Sequence, residues 1–223
     1  RQRQMCIRDR FVSISLLNSQ QILRLHYNHN SKSAFPFYIL NHNGLMMRIG
    51  LTGTPGVGKT TVASILSARF TVIKIVDLAA EKGYLGSHDD EFGAKEIDIE
   101  SLASALEKEW QEPAENTTVI EGHLSHYLPC DLVIVLRCAP EILRSRLSQR
   151  GYPEWKINDN VEWELLGGPW NEMGSDHVPW IEFDTTFSGP EEICDLIEKS
   201  LGSELDGTES SSVLDWAEDI GGL

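Results

Sequence analysis

An α/β fold, a five-stranded parallel sheet flanked by helices, is predicted by three features of this sequence. Residues 53–60 read Gly-Thr-Pro-Gly-Val-Gly-Lys-Thr, a complete phosphate-binding loop (P-loop) of the kind found in nucleoside triphosphatases. Short apolar, β-branched runs recur along the chain, each closed by a polar residue. Helix-forming stretches fall between them, the alternation of a parallel sheet whose crossovers are helical. A chain of 223 residues with 41% hydrophobic composition suits one such domain with small insertions better than two domains. Ligands then belong at the carboxyl ends of the strands.

The first run, residues 47–52, feeds directly into the glycine loop. Residues 61–69 follow as a helix with Val62, Ile65 and Leu66 on one face. Residues 71–76 form the next strand, closed by Asp77, and residues 78–82 and 99–110 read as helices. The runs 117–121 and 131–136 are strands closed by Glu121 and Arg137. Residues 141–149 are a helix with Pro140 in its first turn, where a missing amide proton costs nothing. Residues 180–183 supply a fifth strand and 190–201 a final long helix. Residues 202–212 are a polar linker. Val213, Trp216, Ala217 and Ile220 then recur at helical spacing, a short C-terminal helix expected to dock on the domain. No internal repeat is evident.

The net charge of −15 is divided unevenly, +5 over residues 1–46 and −20 over the remainder. Residues 4–10, Gln-Met-Cys-Ile-Arg-Asp-Arg, resemble the translation of a sequencing adapter, and polar sequence follows to Asn43. Residues 1–46 are therefore expected to be a non-native or disordered extension, with the domain spanning 47–201 and a linker with a short helix at 202–223. The apolar stretch 11–17 is too short to span a bilayer, so no membrane partner is expected. Cys6, Cys130, Cys138 and Cys194 lack zinc-ligand spacing and fit a reduced, cytoplasmic compartment. Strong acidity disfavours tight binding to RNA and favours a basic protein partner.

The P-loop predicts its own chemistry. Gly56 and Gly58 let backbone amides converge on an anionic chain, and the following helix N-terminus adds partial positive charge. Lys59 can reach the β- and γ-phosphates of ATP, and Thr60 can ligate Mg2+. Glu121 ends an apolar strand beside the loop, where an acidic residue holds the metal, partly through water. His123 stands two residues on, and Gly122 between them is expected to permit close approach of phosphates. His126 has no companion at metal-ligand spacing. Arg144, Arg146 and Arg150 share one helix, and the polar stretch 151–160 after it, with Lys156, reads as a loop. Basic residues on a mobile segment can close over a triphosphate and exclude water, which makes this segment a candidate lid.

The motifs Thr-Gly-Thr-Pro-Gly-Val-Gly-Lys-Thr-Thr (52–61), Glu-Gly-His (121–123), Val-Leu-Arg (135–137), Arg-Gly-Tyr (150–152) and Lys-Ile-Asn-Asp-Asn (156–160) occur in this order. Together they resemble the ribosome-biogenesis adenylate kinases, the family of the coilin-interacting nuclear ATPase and its archaeal relatives. The likeness implies an adenylate-kinase-like P-loop fold with a monophosphate-binding region at about 74–97 and a lid at about 149–159. It implies Mg2+-dependent phosphoryl transfer from ATP to a nucleoside monophosphate, ATPase activity, and a role in late small-subunit maturation through a platform ribosomal protein. Gly56, Gly58, Lys59, Thr60, Thr61 and Arg150 are then the ATP-binding residues, with Lys59, Glu121, His123 and Arg150 catalytic. Asp77 and the acidic run at 89–92 fall in the monophosphate region. No arginine occurs between Arg69 and Arg137, so Arg137 is expected to meet the acceptor phosphate, supported by lysines. Gly-Gly-Pro at 167–169 interrupts the chain where the family continues a longer helix. An assembly ATPase with negligible kinase activity and a kinase for another small molecule remain compatible with the residues.

Overall fold

The computed structural model describes residues 24–26, 46–89, 94–173, 178–202 and 214–216. Its main sheet contains β1 (Arg24–His26), β2 (Arg48–Gly53), β3 (Thr71–Lys74), β6 (Thr118–Glu121), β7 (Leu132–Arg137) and β8 (Trp180–Asp184), in the order β1-β8-β7-β2-β6-β3. Five strands are parallel, as the sequence predicts. The sixth, β1, pairs antiparallel with the β8 edge and comes from the segment expected to be an extension. A separate antiparallel hairpin joins β4 (Leu85–Asp89) to β5 (Ala94–Ile97).

Alternation along the strands divides the core between the two faces of the sheet. Val119, Ile134 and Leu136 face one cluster, with α1 (Lys59–Leu66), α4 (Pro140–Gln149) and α6 (Pro190–Gly202) packed there through Leu66, Leu143 and Ile197. Ile120 faces another, covered by α2 (Ile75–Lys82) and α3 (Ile99–Glu109) through Leu78 and Leu106. Val133, Val135 and Trp180 form a third patch under Trp170. The described cysteines, Cys130, Cys138 and Cys194, are free and buried, and burial pushes the Cys138 and Cys194 thiols up to about 11. Among the described residues no helix is long and apolar enough to cross a membrane.

Three elements depart from the sequence expectation. The chain leaves the sheet at Lys74 rather than Val76, because Ile75 is drawn into the α2 cluster despite its strand preference. The β4–β5 hairpin lies within the region 74–97, where no strand is expected; of the acidic run 89–92, residues 90–92 fall outside the described set. The supposed loop 151–160 is mostly helix: α5 runs Glu154–Leu165, with Pro153 at its N-cap and Glu154 in its first turn. Asn158, Asp159 and Asn160 are weak helix formers, but Ile157 is buried and Val161 packs against the main core. Arg144 on α4 also donates to Glu154 Oε1 at 2.8 Å and Asn158 Oδ1 at 2.7 Å. Tertiary contact overrides propensity here. The helix stops where expected, since Gly167 and Gly168 take φ of 106° and 56° before a 3₁₀ turn at Gly168–Glu172.

Candidate active site

β2 delivers the chain to Gly53, and α1 begins at Lys59, so the glycine loop occupies the carboxyl end of the central strand. Gly58, at φ 110°, is the N-cap of α1. Gly56, at φ 100°, brings the loop backbone against α4: a Cβ there would stand 2.8 Å from Leu143 Cδ1. Val57 is fully buried, and Thr185 Oγ1 donates to its carbonyl at 2.8 Å. The loop is thus held from below as well as by its ends. Lys59 Nζ donates to the carbonyls of Gly53 at 2.7 Å and Thr54 at 3.0 Å. Burial lowers its pKa to about 8, with Glu121 and Glu164 opposing that fall.

Glu121 pairs in register with Leu51 of β2 and Lys74 of β3, which places its carboxylate beside the loop. Thr60 Oγ1 donates to Glu121 Oε1 at 3.0 Å. A hydroxyl and a carboxylate are hard oxygen donors, which suit Mg2+. Gly122 has a packing reason as well as the one expected. A Cβ there would lie 2.3 Å from Ile75 Cγ2, so its bareness admits the start of α2.

His123 is exposed to solvent. Burial of part of its ring, followed by the Lys59 charge and His126, nevertheless lowers its pKa to about 4. Solvent screening trims that shift without reversing it, and the imidazole is neutral at pH 7. His126, assigned no metal from sequence, uses both nitrogens on protein atoms: Nδ1 lies 2.9 Å from Thr52 Oγ1 and Nε2 3.0 Å from Glu172 Oε2. Thr52 Oγ1 in turn lies 3.0 Å from the His123 carbonyl. His126 thus anchors the turn that carries His123.

The expected basic residues separate into three roles. Arg150 is the exposed C-cap of α4, and its charge acts on Lys59. Arg144 braces α5 as described, and Arg146 donates to the Thr185 carbonyl at 2.7 Å. Lys156 is helical, its Nζ 4.9 Å from the centroid of the Tyr152 ring. Thr61 and Asp77 are exposed in the first turns of α1 and α2. Arg137 corrects the sequence expectation. It is fully buried, donating through Nε to Glu164 Oε1 at 2.7 Å and through Nη1 to Glu182 Oε2 at 2.9 Å. A guanidinium held by two buried carboxylates inside the domain does not present itself to an acceptor phosphate.

Glu164 was missed by sequence reasoning. It lies on α5, yet its Oε2 accepts a hydrogen bond from Thr54 Oγ1 of the P-loop. A charged residue in the middle of Trp-Glu-Leu-Leu, on the same face as Ile157 and Val161, is the only local sign of it.

An AAA domain family matches residues 49–167. A protein of Pyrococcus abyssi named "Putative adenylate kinase" is 42% identical over 175 residues, 77% of this chain and 92% of its own length. One of the same name from Methanothermobacter thermautotrophicus is 45% identical over 152 residues, 67% of this chain and 86% of its own. In solved structures, a gluconokinase from Sinorhizobium meliloti superposes with a TM-score of 0.46 at 15% identity, over 71% of this chain and 93% of that one.

Proposed function

The chain belongs to the adenylate-kinase-like P-loop family that these archaeal proteins represent, and on that premise we propose that it transfers the terminal phosphate of ATP to AMP or a related nucleoside monophosphate. The observation that carries this reading is the convergence of Lys59, Thr60 and Glu121 on one glycine loop at the carboxyl end of the central strand. Lys59, released from the Gly53 and Thr54 carbonyls, neutralises charge on the β- and γ-phosphates. Thr60 and Glu121 would hold Mg2+, which when bound screens the phosphates from one another. Arg150, at the junction of α4 and the lid, supplies a further positive charge. Coupled assays of the purified protein, with and without AMP, test the reading. ADP formation that AMP does not stimulate would leave an assembly ATPase or a kinase for another acceptor.

Lys59 gives the nucleotide site a pH signature. Phosphates of bound ATP stabilise the ammonium and raise its pKa above the value of about 8 in the free protein. Binding then takes up a proton. Affinity is full below pH 8 and falls as pH rises through it, by up to about tenfold per unit until the bound-state pKa is reached. Calorimetry between pH 7.5 and 9.5 should show this decline, and a flat profile would show that Lys59 titrates normally.

Hydrolysis is the second activity in this proposal, and the neutral His123 at the Glu121 strand end favours it. A neutral imidazole can accept a proton from, and so orient, a water near the γ-phosphate, whereas in transfer the acceptor phosphate is positioned by its own site. His123→Ala is expected to lower ATP hydrolysis by at least about tenfold, since a positioned proton acceptor contributes roughly 10²–10⁴, and to lower transfer to AMP less. Equal losses would remove His123 from this role.

The finer cellular reading is that the acidic domain assists late small-subunit maturation by engaging a basic platform ribosomal protein and not bare RNA. It is supported by the resemblance and by the charge of −20 over residues 47–223. Such binding should weaken from low to physiological salt, because exposed charges are screened over about 8–10 Å. Tight binding to RNA alone would overturn the charge argument.

A further inference from the structure

Arg137, Glu164 and Glu182 form a buried cluster with one positive and two negative groups, each at most 1% exposed. Neutralising Arg137 needs one carboxylate, so the second requires another explanation. Glu182 bridges Arg137 to the Trp170 indole at 2.5 Å and to the Leu214 amide at 3.1 Å. Glu164 reaches in two directions. Its Oε1 accepts from Arg137 Nε, from the Cys138 amide at 3.0 Å and from Trp216 Nε1 at 3.3 Å. Its Oε2 accepts from Thr54 Oγ1.

Thr54 is the residue that Glu164 can use to set the nucleotide site. Its hydroxyl is on Glu164, and its carbonyl accepts from Lys59 Nζ at 3.0 Å. Gly168 leaves the space for this contact: a Cβ there would stand 3.3 Å from Glu164 Oε2 and 3.4 Å from Thr54 Oγ1. The Gly-Gly-Pro interruption therefore brings the end of α5 against the P-loop. Trp216 closes the cluster from the C-terminal side, buried to 8% exposure with its ring centroid 6.0 Å from the Arg137 guanidinium carbon.

We propose that Glu164 is a positioning residue for the phosphate loop and that the C-terminal segment around Trp216 holds it in place, so that ATP affinity depends on residues that do not touch the nucleotide. This rests on ATP binding at the P-loop. Glu164 also acts on Lys59 electrostatically, opposing the effect of burial on the ammonium. A strap that loosens at Trp216 removes one of three donors to Glu164 Oε1, leaving Arg137 and Cys138, and so slackens the carboxylate whose other oxygen holds the Thr54 hydroxyl. The end of α5 and the C-terminal segment thereby share one connection to the ATP site.

The test is a double-mutant cycle read by ATP calorimetry, steady-state kinetics and thermal melts on the full chain. Thr54→Val keeps shape and the Arg137 ion pairs but removes the hydroxyl. It should raise the Kd and KM for ATP by roughly tenfold, the scale of one hydrogen bond to a charged group, with kcat changed less. Thr54→Ser should restore affinity to within about twofold, and Trp216→Phe, which removes only the indole N–H and some bulk, should weaken ATP about threefold. Because both act through Glu164, the double variant should bind ATP no more weakly than Thr54→Val alone. Wild-type affinity in Thr54→Val, no rescue by serine, or independent multiplication of the two effects would each overturn the proposal. Wild-type protein that binds no ATP would instead overturn the nucleotide reading beneath it.

Discussion

Lys59→Ala is expected to abolish phosphoryl transfer and ATP hydrolysis together, with a loss of roughly 10² or more in turnover, the scale for removing one group that stabilises transition-state charge. Both reactions use the same β- and γ-phosphates, and the ammonium lies 2.7–3.0 Å from two loop carbonyls, within the loop that would cradle them. Stability should move little or upward. Burial is the largest influence on this group and works against its charged form, so alanine relieves a cost in the free protein. The combination of lost turnover and an unchanged or raised Tm separates a phosphate-binding lysine from a structural one. Near-normal hydrolysis in this variant would show that the loop is not the reaction centre.

That site was legible because its signals are local. Gly56, Gly58, Lys59 and Thr60 are contiguous, and the strand before and helix after them are each specified by their own periodicity. Glu121 was found by the same means, as the polar end of a β-branched run, and the structure brings it to Thr60. The parallel sheet was readable because its strands are short and apolar on both faces. What escaped depends on partners distant in sequence. α5 looks like a loop because Asn158, Asp159 and Asn160 are weak helix formers, and it is helical because Arg144 and the core hold it. The N-terminus of α2 looks like strand because Ile75 and Val76 are β-branched, and it turns because Ile75 has a place against Gly122. Of the C-terminal face expected to dock, Trp216 is buried, while Val213, Ala217 and Ile220 lie outside the described residues; the Trp216 hydrogen bond to Glu164, 52 positions away, has no trace in local pattern. A polar residue closing a strand is ambiguous for the same reason. Glu121 meets the P-loop hydroxyl, whereas Arg137, in the equivalent position on β7, meets two buried carboxylates.

Arg137→Ala distinguishes these two meanings of a strand-end charge, and its expected effect is on stability. Removing the guanidinium leaves Glu164 and Glu182 buried without their cation, and breaking a buried ion pair from one side costs about 3–5 kcal/mol. For a domain of this size roughly 2–4 °C of Tm accompanies each kcal/mol, so the melting temperature should fall by about 6–20 °C. Alanine also opens a void among Trp170, Glu182 and Trp216, which pushes the loss toward the upper end. Arg137→Lys keeps the charge but not the separate Nε and Nη1 donors that reach two carboxylates, and should fall between alanine and wild type. Arg137→Ala should also weaken ATP binding, since Glu164 would then lose the cation that fixes it beside Thr54. Thermal melts and AMP titrations at saturating ATP, below the melting transition, check the assignment. A variant that melts like the wild type while the KM for AMP rises by tenfold or more would return Arg137 to the acceptor site.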